Sequence, residues 1–329
     1  MKTPLLRVEG LKTFYNTREG INRAVDGIDY EIGMGEVIGL VGESGCGKTV
    51  SALSIMRLIP SPPGRIETGR IELEGNDLLA LGRGRMEEIR GKEISMIFQE
   101  PMTSLNPIFN IGEQISEAIR VHQGVGKKEA LRNAVEMLKM VKMPHPEKRA
   151  YEYPHQLSGG MRQRAMIAMA LSCGPKLLIA DEPTTALDVI IQAQILELLL
   201  RLRQELGMAI LLITHDLGVV AEVAERVLVM YLGKIVEAGG VRSIFHHSRH
   251  PYTIGLLGSV PQLGRGRGRG ERRVRLQEIP GSVPNAYQLP KGCRFEPRCS
   301  HAIDVCRQEE PELKEIEEGH GVRCWVCPG

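Results

Sequence analysis

Residues 42–49 form a glycine-rich segment whose spacing suits the binding of phosphate groups. The segment reads Gly-Glu-Ser-Gly-Cys-Gly-Lys-Thr and fits the pattern G-x-x-x-x-G-K-[ST], between an apolar run and a helical pattern as the motif requires. Backbone N–H groups of such a loop, with the helix start behind them, point at phosphate oxygens. Lys48 can neutralise β- and γ-phosphates, and the Thr49 hydroxyl can coordinate Mg²⁺. The predicted ATP-binding residues of this segment are Gly42, Ser44, Gly45, Cys46, Gly47, Lys48, Thr49 and Val50.

Two acidic residues and a histidine follow two further apolar runs. Asp181 ends the run 177–180, where a carboxylate can hold Mg²⁺ through water. Glu182 comes next and is suited to act as general base for an attacking water. His215 follows the run at 209–213 and can reach a γ-phosphate. Because ligands of open parallel sheets bind outside the carboxyl ends of the strands, we expect these residues to meet the phosphate loop in one crevice.

A second possible phosphate site begins at Ser158, Gly159 and Gly160, which precede a helical pattern over 161–171. Its helix start can bind a phosphate in the same way as the first. One γ-phosphate does not need two such sites, so we predict that this one serves the nucleotide of a partner across a dimer interface. The alternative is an ordinary serine N-cap on a glycine-rich turn.

An aromatic residue near the N-terminus is a candidate for stacking on adenine. The sequence has five Phe and seven Tyr, so an aromatic side chain here is informative. Tyr15 is the first candidate and Phe14 the alternative. A core aromatic is the rival interpretation.

The order of the predicted elements indicates an α/β fold. Short strands are expected over 5–8, 24–30 and 37–41, and a helix over 49–58 that ends at the prolines 60, 62 and 63. Apolar residues have helical spacing from 111 to 141. The runs at 177–180 and 209–213 are apolar on both faces, which is typical of buried strands in a parallel sheet.

The length and composition favour two domains in a cytosolic protein. The chain has 329 residues, of which 42% are hydrophobic, and a net charge of +2, too small by itself to imply nucleic acid. No apolar leader or membrane-spanning run is evident. Composition changes near residue 250, so we predict domains at 1–250 and 251–329. The Arg-Gly stretch 264–270 is expected to be a flexible linker, with binding of nucleic acid or anionic lipid by its arginines as the alternative.

These motifs together resemble the ATP-binding subunit of ABC transporters. Residues 157–163 are similar to the signature of that superfamily, Gln99 to its glutamine loop, 186–188 to its D-loop and His215 to its switch histidine. The resemblance implies a P-loop NTPase fold with an antiparallel β subdomain and a helical subdomain. It also implies two subunits that enclose two ATP molecules head to tail, with Ser158, Gly159, Gly160 and Asp188 at the partner's ATP. Gln99 would then sense the γ-phosphate and Mg²⁺, and the intact Glu182 implies ATP hydrolysis.

A narrower resemblance is to the importers of oligopeptides and dipeptides. Its segments are residues 97–107, 230–237, 250–253 and a C-terminal extension from 279 to 299. Such systems pair two non-identical ATPase subunits with two membrane subunits and an extracytoplasmic binding protein, so the chain is expected at the cytoplasmic face of the membrane. Dipeptides, longer peptides, nickel or another small solute remain open as cargo. Two other classes of protein are the rivals. One is an ABC ATPase that acts on DNA or ribosomes, although such proteins usually carry long insertions that this chain lacks. The other is a regulatory module that binds ATP without hydrolysing it.

The tail after the Arg-Gly stretch is rich in cysteine. Cys293, Cys299, Cys306 and Cys324 lie close in sequence, with Cys327 as a fifth. Four thiolates suit zinc or an iron–sulfur cluster, and reduced structural thiols are the remaining alternative. Some members of the importer family are similar in this pattern and carry a [4Fe–4S] cluster. The resemblance therefore implies such a cluster on these four cysteines, in a small Cys-rich C-terminal domain, with zinc as the alternative.

Overall fold

The computed structural model describes residues 3–99, 104–185, 187–259 and 278–327. Its strands are β1 (Leu6–Thr17), β2 (Gly20–Ile32), β3 (Val37–Val41), β4 (Gly64–Leu73), β5 (Asn76–Asp77), β6 (Ile94–Ile97), β7 (Leu177–Asp181), β8 (Ala209–Ile213), β9 (Arg226–Tyr231), β10 (Lys234–Gly240), β11 (Lys314–Glu317) and β12 (His320–Val322). Its helices are α1 (Lys48–Ile55), α2 (Arg83–Ile89), α3 (Ile111–Gln123), α4 (Lys127–Met140), α5 (Pro146–Arg149), α6 (Gly159–Leu171), α7 (Val189–Leu206), α8 (Leu217–Val223), α9 (Val241–His246), α10 (Pro251–Gly258) and α11 (Asp304–Gln308). The Arg-Gly stretch, residues 100–103 and Ala186 lie outside the described residues.

The main sheet has the order β11-β12-β10-β9-β3-β8-β7-β6. Its central strands β9, β3, β8, β7 and β6 are parallel. Every residue of β3, β7 and β8 is buried, which confirms the prediction from their apolar runs. Parallel pairing brings the carboxyl ends of β3, β7 and β8 to one edge of the sheet, and the predicted site residues follow these ends.

A second sheet is antiparallel and has the order β2-β1-β4-β5. The sequence predicts two short strands here, and the structure shows a hairpin of 12- and 13-residue strands instead. Their register runs from Leu6 opposite Ile32 to Thr17 opposite Gly20. The polar residues between the apolar runs alternate outward from a sheet with one solvated face, so their polarity does not interrupt the strands.

The helical pattern over 111–141 is divided into α3 and α4. Asn110 caps α3, and its side chain accepts from the N–H of Glu113 at 2.8 Å. Gly124 ends the helix with a left-handed φ of 67°, which glycine adopts at low cost. Helices α3, α4 and α6 share a buried apolar cluster, so the chain has a helical region beside the main sheet.

The cysteine-rich tail is built into the main sheet. Strand β12 pairs with β10, opposing Val322 to Glu237, and β11 extends the sheet further. Phe295 is buried in one cluster with Tyr231 and Tyr252. The structure therefore does not support the predicted separate Cys-rich domain, because tail strands and tail apolar residues complete the sheet and core of the preceding chain. Over the described ranges, no helix combines the length and apolar character needed to span a membrane.

Candidate functional site

The phosphate loop connects β3 to α1 in a backbone shape that two glycines permit. Gly42 has φ 154° and Gly47 has φ 108°. A Cβ atom at Gly42 would lie 2.1 Å from the carbonyl oxygen of Met230, and one at Gly47 would lie 2.1 Å from that of Ala24. Larger residues at either position would push the loop away from the strands beneath it. The sequence motif thus corresponds to a backbone packed directly on β2 and β9.

Lys48 is buried and aimed into the loop. Its Nζ donates to the carbonyl oxygens of Gly42 at 2.8 Å and Glu43 at 3.1 Å, and lies 3.8 Å from Cys46 Sγ. Burial raises the pKa of the Cys46 thiol, so that side chain is a neutral packing group beneath the loop. The ammonium group and the backbone N–H groups of the loop can bind an anion together.

Asp181, at the end of β7, is almost completely buried beside Thr49. Its desolvation raises the carboxyl pKa, an effect that the hydrogen bond from Thr49 partly offsets. Oδ1 of Asp181 has no hydrogen-bond partner within the described part of the chain. A buried carboxylate oxygen without a partner, next to a hydroxyl, is a donor set that fits Mg²⁺.

Glu182 is the centre of a polar cluster at the sheet edge. Its Oε2 accepts from Gln99 Nε2 at 3.0 Å and from Thr185 Oγ1 at 2.9 Å, and its Oε1 lies 3.2 Å from His215 Nδ1. Burial would raise the pKa of Glu182, but the hydrogen bonds with His215 and Thr185 outweigh it and lower the pKa. Glu182 is therefore held ionised, as a proton acceptor must be.

A cavity of about 450 Å³ opens between the phosphate loop and the antiparallel sheet. It is lined by Tyr15, Thr17, Asn22, Ala24, Ser44, Gly45, Gly47, Lys48, Thr49, Val50, Gln99 and Glu182. Tyr15 thus lies at the cavity, whereas the Phe14 ring lies 5.7 Å from the guanidinium carbon of Arg23. Of the two candidates for stacking on adenine, Tyr15 is the one that lines the cavity.

Some lining residues have no sequence signal. Thr17, Asn22 and Ala24 lie on β1 and β2, and only the folding of this hairpin over the phosphate loop brings them to the cavity. The contact of Thr185 with Glu182 could have been predicted from the sequence. Thr185 comes three residues after Glu182, and a turn of this length brings the hydroxyl within hydrogen-bonding distance of the carboxylate.

Ser158, Gly159, Gly160 and Asp188 are not among the residues that line this cavity. Ser158 caps α6, and its Oγ accepts from the N–H of Met161 at 3.4 Å. Asp188 caps α7 by accepting from the N–H of Ile191 at 2.9 Å. Both caps are at the protein surface. The described chain therefore does not bring the signature helix to its own phosphate loop.

The tail cysteines cluster without forming a metal centre. Burial raises the pKa of Cys293 to about 11, and the nearby thiols of Cys306, Cys324 and Cys299 contribute to the rise. Cys324 Sγ accepts from the N–H groups of Val326 and Cys327, at 3.4 and 3.3 Å. Among the described residues, no three His, Cys, Asp or Glu side chains are arranged to hold a metal ion. The described side chains, as they are placed, thus do not form the predicted [4Fe–4S] or zinc site.

Comparison with known protein families identifies the class. The pattern of the family described as "ABC transporter" matches residues 25–185. A dimeric ATP-binding cassette, described as a post-hydrolysis state bound to ADP and Pi, has a TM-score of 0.65 at 28% identity, covering 72% of this chain and 99% of that one. The pattern "Oligopeptide/dipeptide transporter, C-terminal region" matches residues 236–306.

Relatives that match almost the whole chain show to which group of ATP-binding subunits it is most similar. The oligopeptide transport ATP-binding protein AppD of Bacillus subtilis (strain 168) is 53% identical over 322 residues, covering 98% of this chain and 96% of its own. The dipeptide transport ATP-binding protein DppD of Escherichia coli (strain K12) is 50% identical over 320 residues, covering 97% and 96%. The chain belongs to the ABC transporter ATP-binding family, in the group that carries the oligopeptide/dipeptide transporter C-terminal region.

Proposed function

We propose that this chain is the ATP-hydrolysing motor of a membrane importer for dipeptides or oligopeptides. The main support is the combination of a complete phosphate-loop and Glu182 site with two peptide-transport relatives that match nearly the whole chain. ATP-driven closure of a dimer and its reopening after hydrolysis are coupled to movement of substrate through membrane subunits.

The binding part of the proposed site is the cavity beside the phosphate loop. The loop residues 42–50 and Lys48 hold the phosphates, and Tyr15 stacks on the adenine. Thr49, Asp181 and Gln99 would hold Mg²⁺, and the partnerless Oδ1 of Asp181 supports this assignment. When bound, Mg²⁺ supplies charge neutralisation at the β- and γ-phosphates.

The chemical step is assigned to Glu182. Its ionised carboxylate accepts the proton of the attacking water. His215 and Gln99 contact the same carboxylate and orient it toward the γ-phosphate position. Chemistry of this kind depends on positioning, which the contacts of Glu182 with two other segments supply.

The signature residues are proposed to act on a second subunit. The lining of the cavity does not include Ser158, Gly159, Gly160 or Asp188, and all of these except the half-buried Gly160 are exposed. Beside them, Val189 and Ile190 are 81% and 73% exposed. Apolar side chains exposed at this level are suited to a protein interface. The similar cassette described as dimeric supports this arrangement. We propose a partner that is a different, homologous ATPase subunit, as the importer resemblance implies.

The proposed assembly contains two membrane permease subunits and an extracytoplasmic substrate-binding protein. It places this chain at the cytoplasmic face of the membrane, with residues 1–250 as the ATPase unit and 251–329 as the importer-type extension. Reconstitution with the partner genes tests the proposal, because peptide uptake into proteoliposomes should require ATP and an intact Glu182. Uptake of nickel but not of peptides would show that the transported solute is nickel. ATPase activity that responds only to nucleic acid would overturn the transport role.

We also propose that the tail binds a [4Fe–4S] cluster, with zinc as the alternative ion. The support is the donor set of four thiols, Cys293, Cys299, Cys306 and Cys324, together with the placement of Cys293 beside Cys306, whose carbonyl oxygen accepts from the Cys293 N–H at 2.8 Å. Binding would need the thiols to turn toward a common centre. Anaerobically purified protein should be brown and carry iron and sulfide, and serine at any of the four positions should remove the colour while Cys327→Ser keeps it. Zinc without iron would select the alternative, and no metal would leave ordinary thiols.

A further inference from the structure

An arginine of the tail contacts the phosphate loop. Arg298 Nη1 donates to Glu43 Oε2 at 2.8 Å, and Nη2 donates to Oε1 at 3.2 Å, across 255 residues of chain. This is a bidentate pair, in which the two planar groups face each other. The Arg298 side chain is only 4% exposed and that of Glu43 28%. The guanidinium is therefore shielded from water, and the pair is screened less than a pair of two exposed side chains.

The Arg298 guanidinium is held in this position from other sides. Its Nε donates to the carbonyl oxygen of Pro280 at 3.0 Å. Its Cζ lies 5.9 Å from the ring centroids of both Tyr231 and Phe295, within the range of cation–π attraction. The charge is thus fixed beneath the loop by the tail and by β9, so the Glu43 carboxylate pairs with a guanidinium that other contacts already hold in place.

Glu43 belongs to the phosphate loop, and its carboxylate pairs with Arg298 instead of lining the cavity. Its backbone N–H donates to Tyr252 Oη at 2.8 Å, and its carbonyl oxygen accepts from Lys48 Nζ at 3.1 Å. It also directly follows Gly42 in the loop. A carboxylate here repels a polyphosphate unless a cation offsets it. Arg298 is that cation.

We propose that Arg298 is a positioning residue for nucleotide binding, which neutralises Glu43 and so makes the phosphate loop able to accept the β- and γ-phosphates of ATP. The proposal rests on the proposed ATP site and adds the tail to it. No contact between Arg298 and nucleotide is needed, because the effect passes through Glu43. The C-terminal extension thereby sets the nucleotide affinity of its own chain.

The test is a double-mutant cycle on the dissociation constants (Kd) of ATP and AMP, measured by calorimetry on the full chain. Arg298→Gln should raise the Kd of ATP on the order of tenfold, because the partly buried negative charge of Glu43 is then uncompensated. AMP lacks the β- and γ-phosphates, so its Kd should change little. Adding Glu43→Gln should bring the ATP Kd back toward wild type. Arg298→Lys keeps the charge and should fall between wild type and Arg298→Gln.

Arg307→Gln is the matched control, because Arg307 is a tail arginine with a 66% exposed side chain whose ion pairs, within the described part of the chain, are with Glu296 and Asp304. Three outcomes would each overturn the proposal. The first is an unchanged Kd of ATP in Arg298→Gln, and the second is an equal rise in the Kd of AMP. The third is a double variant that binds ATP as weakly as Arg298→Gln. If Arg298→Gln does not fold, Glu43→Gln decides alone: tighter ATP binding supports the proposal, and equal or weaker binding overturns it. A wild-type chain that binds no ATP would instead refute the proposed ATP site.

Discussion

The Nδ1 atom of His215 lies 3.2 Å from Oε1 of Glu182, which links the segments that follow two neighbouring parallel strands. Asp181 and Ile213, the last residues of β7 and β8, are paired in the sheet. Because these strands end together, residues placed one or two positions beyond them reach each other across the sheet edge. The geometry of the proposed catalytic pair thus follows directly from the strand register.

Glu182→Gln should bind ATP normally and lose turnover by a factor on the order of 10²–10⁴, because only the proton acceptor is removed. The amide can still accept from Gln99 and Thr185, so the local structure should be retained. Steady-state phosphate release and nucleotide binding, measured on the same preparation, check this. Glu197→Gln, on the exposed side of α7, is the control. Turnover within a few-fold of wild type would show that another group accepts the proton.

Lys48→Ala should lose nucleotide affinity rather than turnover alone. The ammonium group is the main positive charge at the loop, and a charged hydrogen bond contributes about 1.5–3 kcal/mol. The Kd of ATP should therefore rise by at least about tenfold. Lys128→Ala, at an exposed position of α4, serves as control. Normal ATP binding by Lys48→Ala would argue that the loop binds phosphate through its backbone alone.

Much of the fold and of the proposed site could be predicted from apolar runs and the polar residues that end them. The runs before Asp181 and His215 are buried strands, as expected, since β7 and β8 are covered on both faces. The loop at 42–49 has the expected strand and helix on its two sides. These features are local in sequence, so their pattern carries the information.

Contacts between distant segments could not be predicted. Asn22 reaches the cavity because it lies on the long β1–β2 hairpin. Polar residues in that hairpin made its strands look shorter in the sequence than they are. The pair of Arg298 with Glu43 depends on how the tail packs on β9 and β10. The hydrophobic periodicity of the sequence does not predict packing between such distant segments. For the same reason the tail was expected to be a separate domain, whereas its strands extend the main sheet.

Stability should fall in acid through His250, which is buried and caps α10. Its burial lowers its pKa from 6.5 to about 3, and its Nδ1 accepts from the N–H of Tyr252 at 3.1 Å. Between these pKa values the unfolded chain binds a proton that the folded chain does not. Lowering the pH through this window therefore favours unfolding, by about 2 kcal/mol between pH 7 and pH 5.

His250→Asn should reduce this acid dependence, because asparagine can cap the helix but does not titrate. Urea unfolding of both proteins at pH 7 and pH 5 measures the difference. Glu237, which accepts from the His250 N–H, and the nearby Arg323 are common to both proteins. Equal pH dependence of the two would show that His250 is not the group that titrates.

Ser158→Arg should abolish ATP turnover while leaving ATP binding by the isolated chain intact. Ser158 is exposed at the start of α6 and does not line the cavity of its own chain, so a large cation there should block only a partner's nucleotide. ATP binding is measured at a concentration where the chain is monomeric, and turnover with the partner ATPase present. Ser61→Arg, in an exposed turn after α1, is the control for the added charge. An equal loss of binding in the monomer would show that the signature helix acts within its own chain, and normal turnover would remove it from the site.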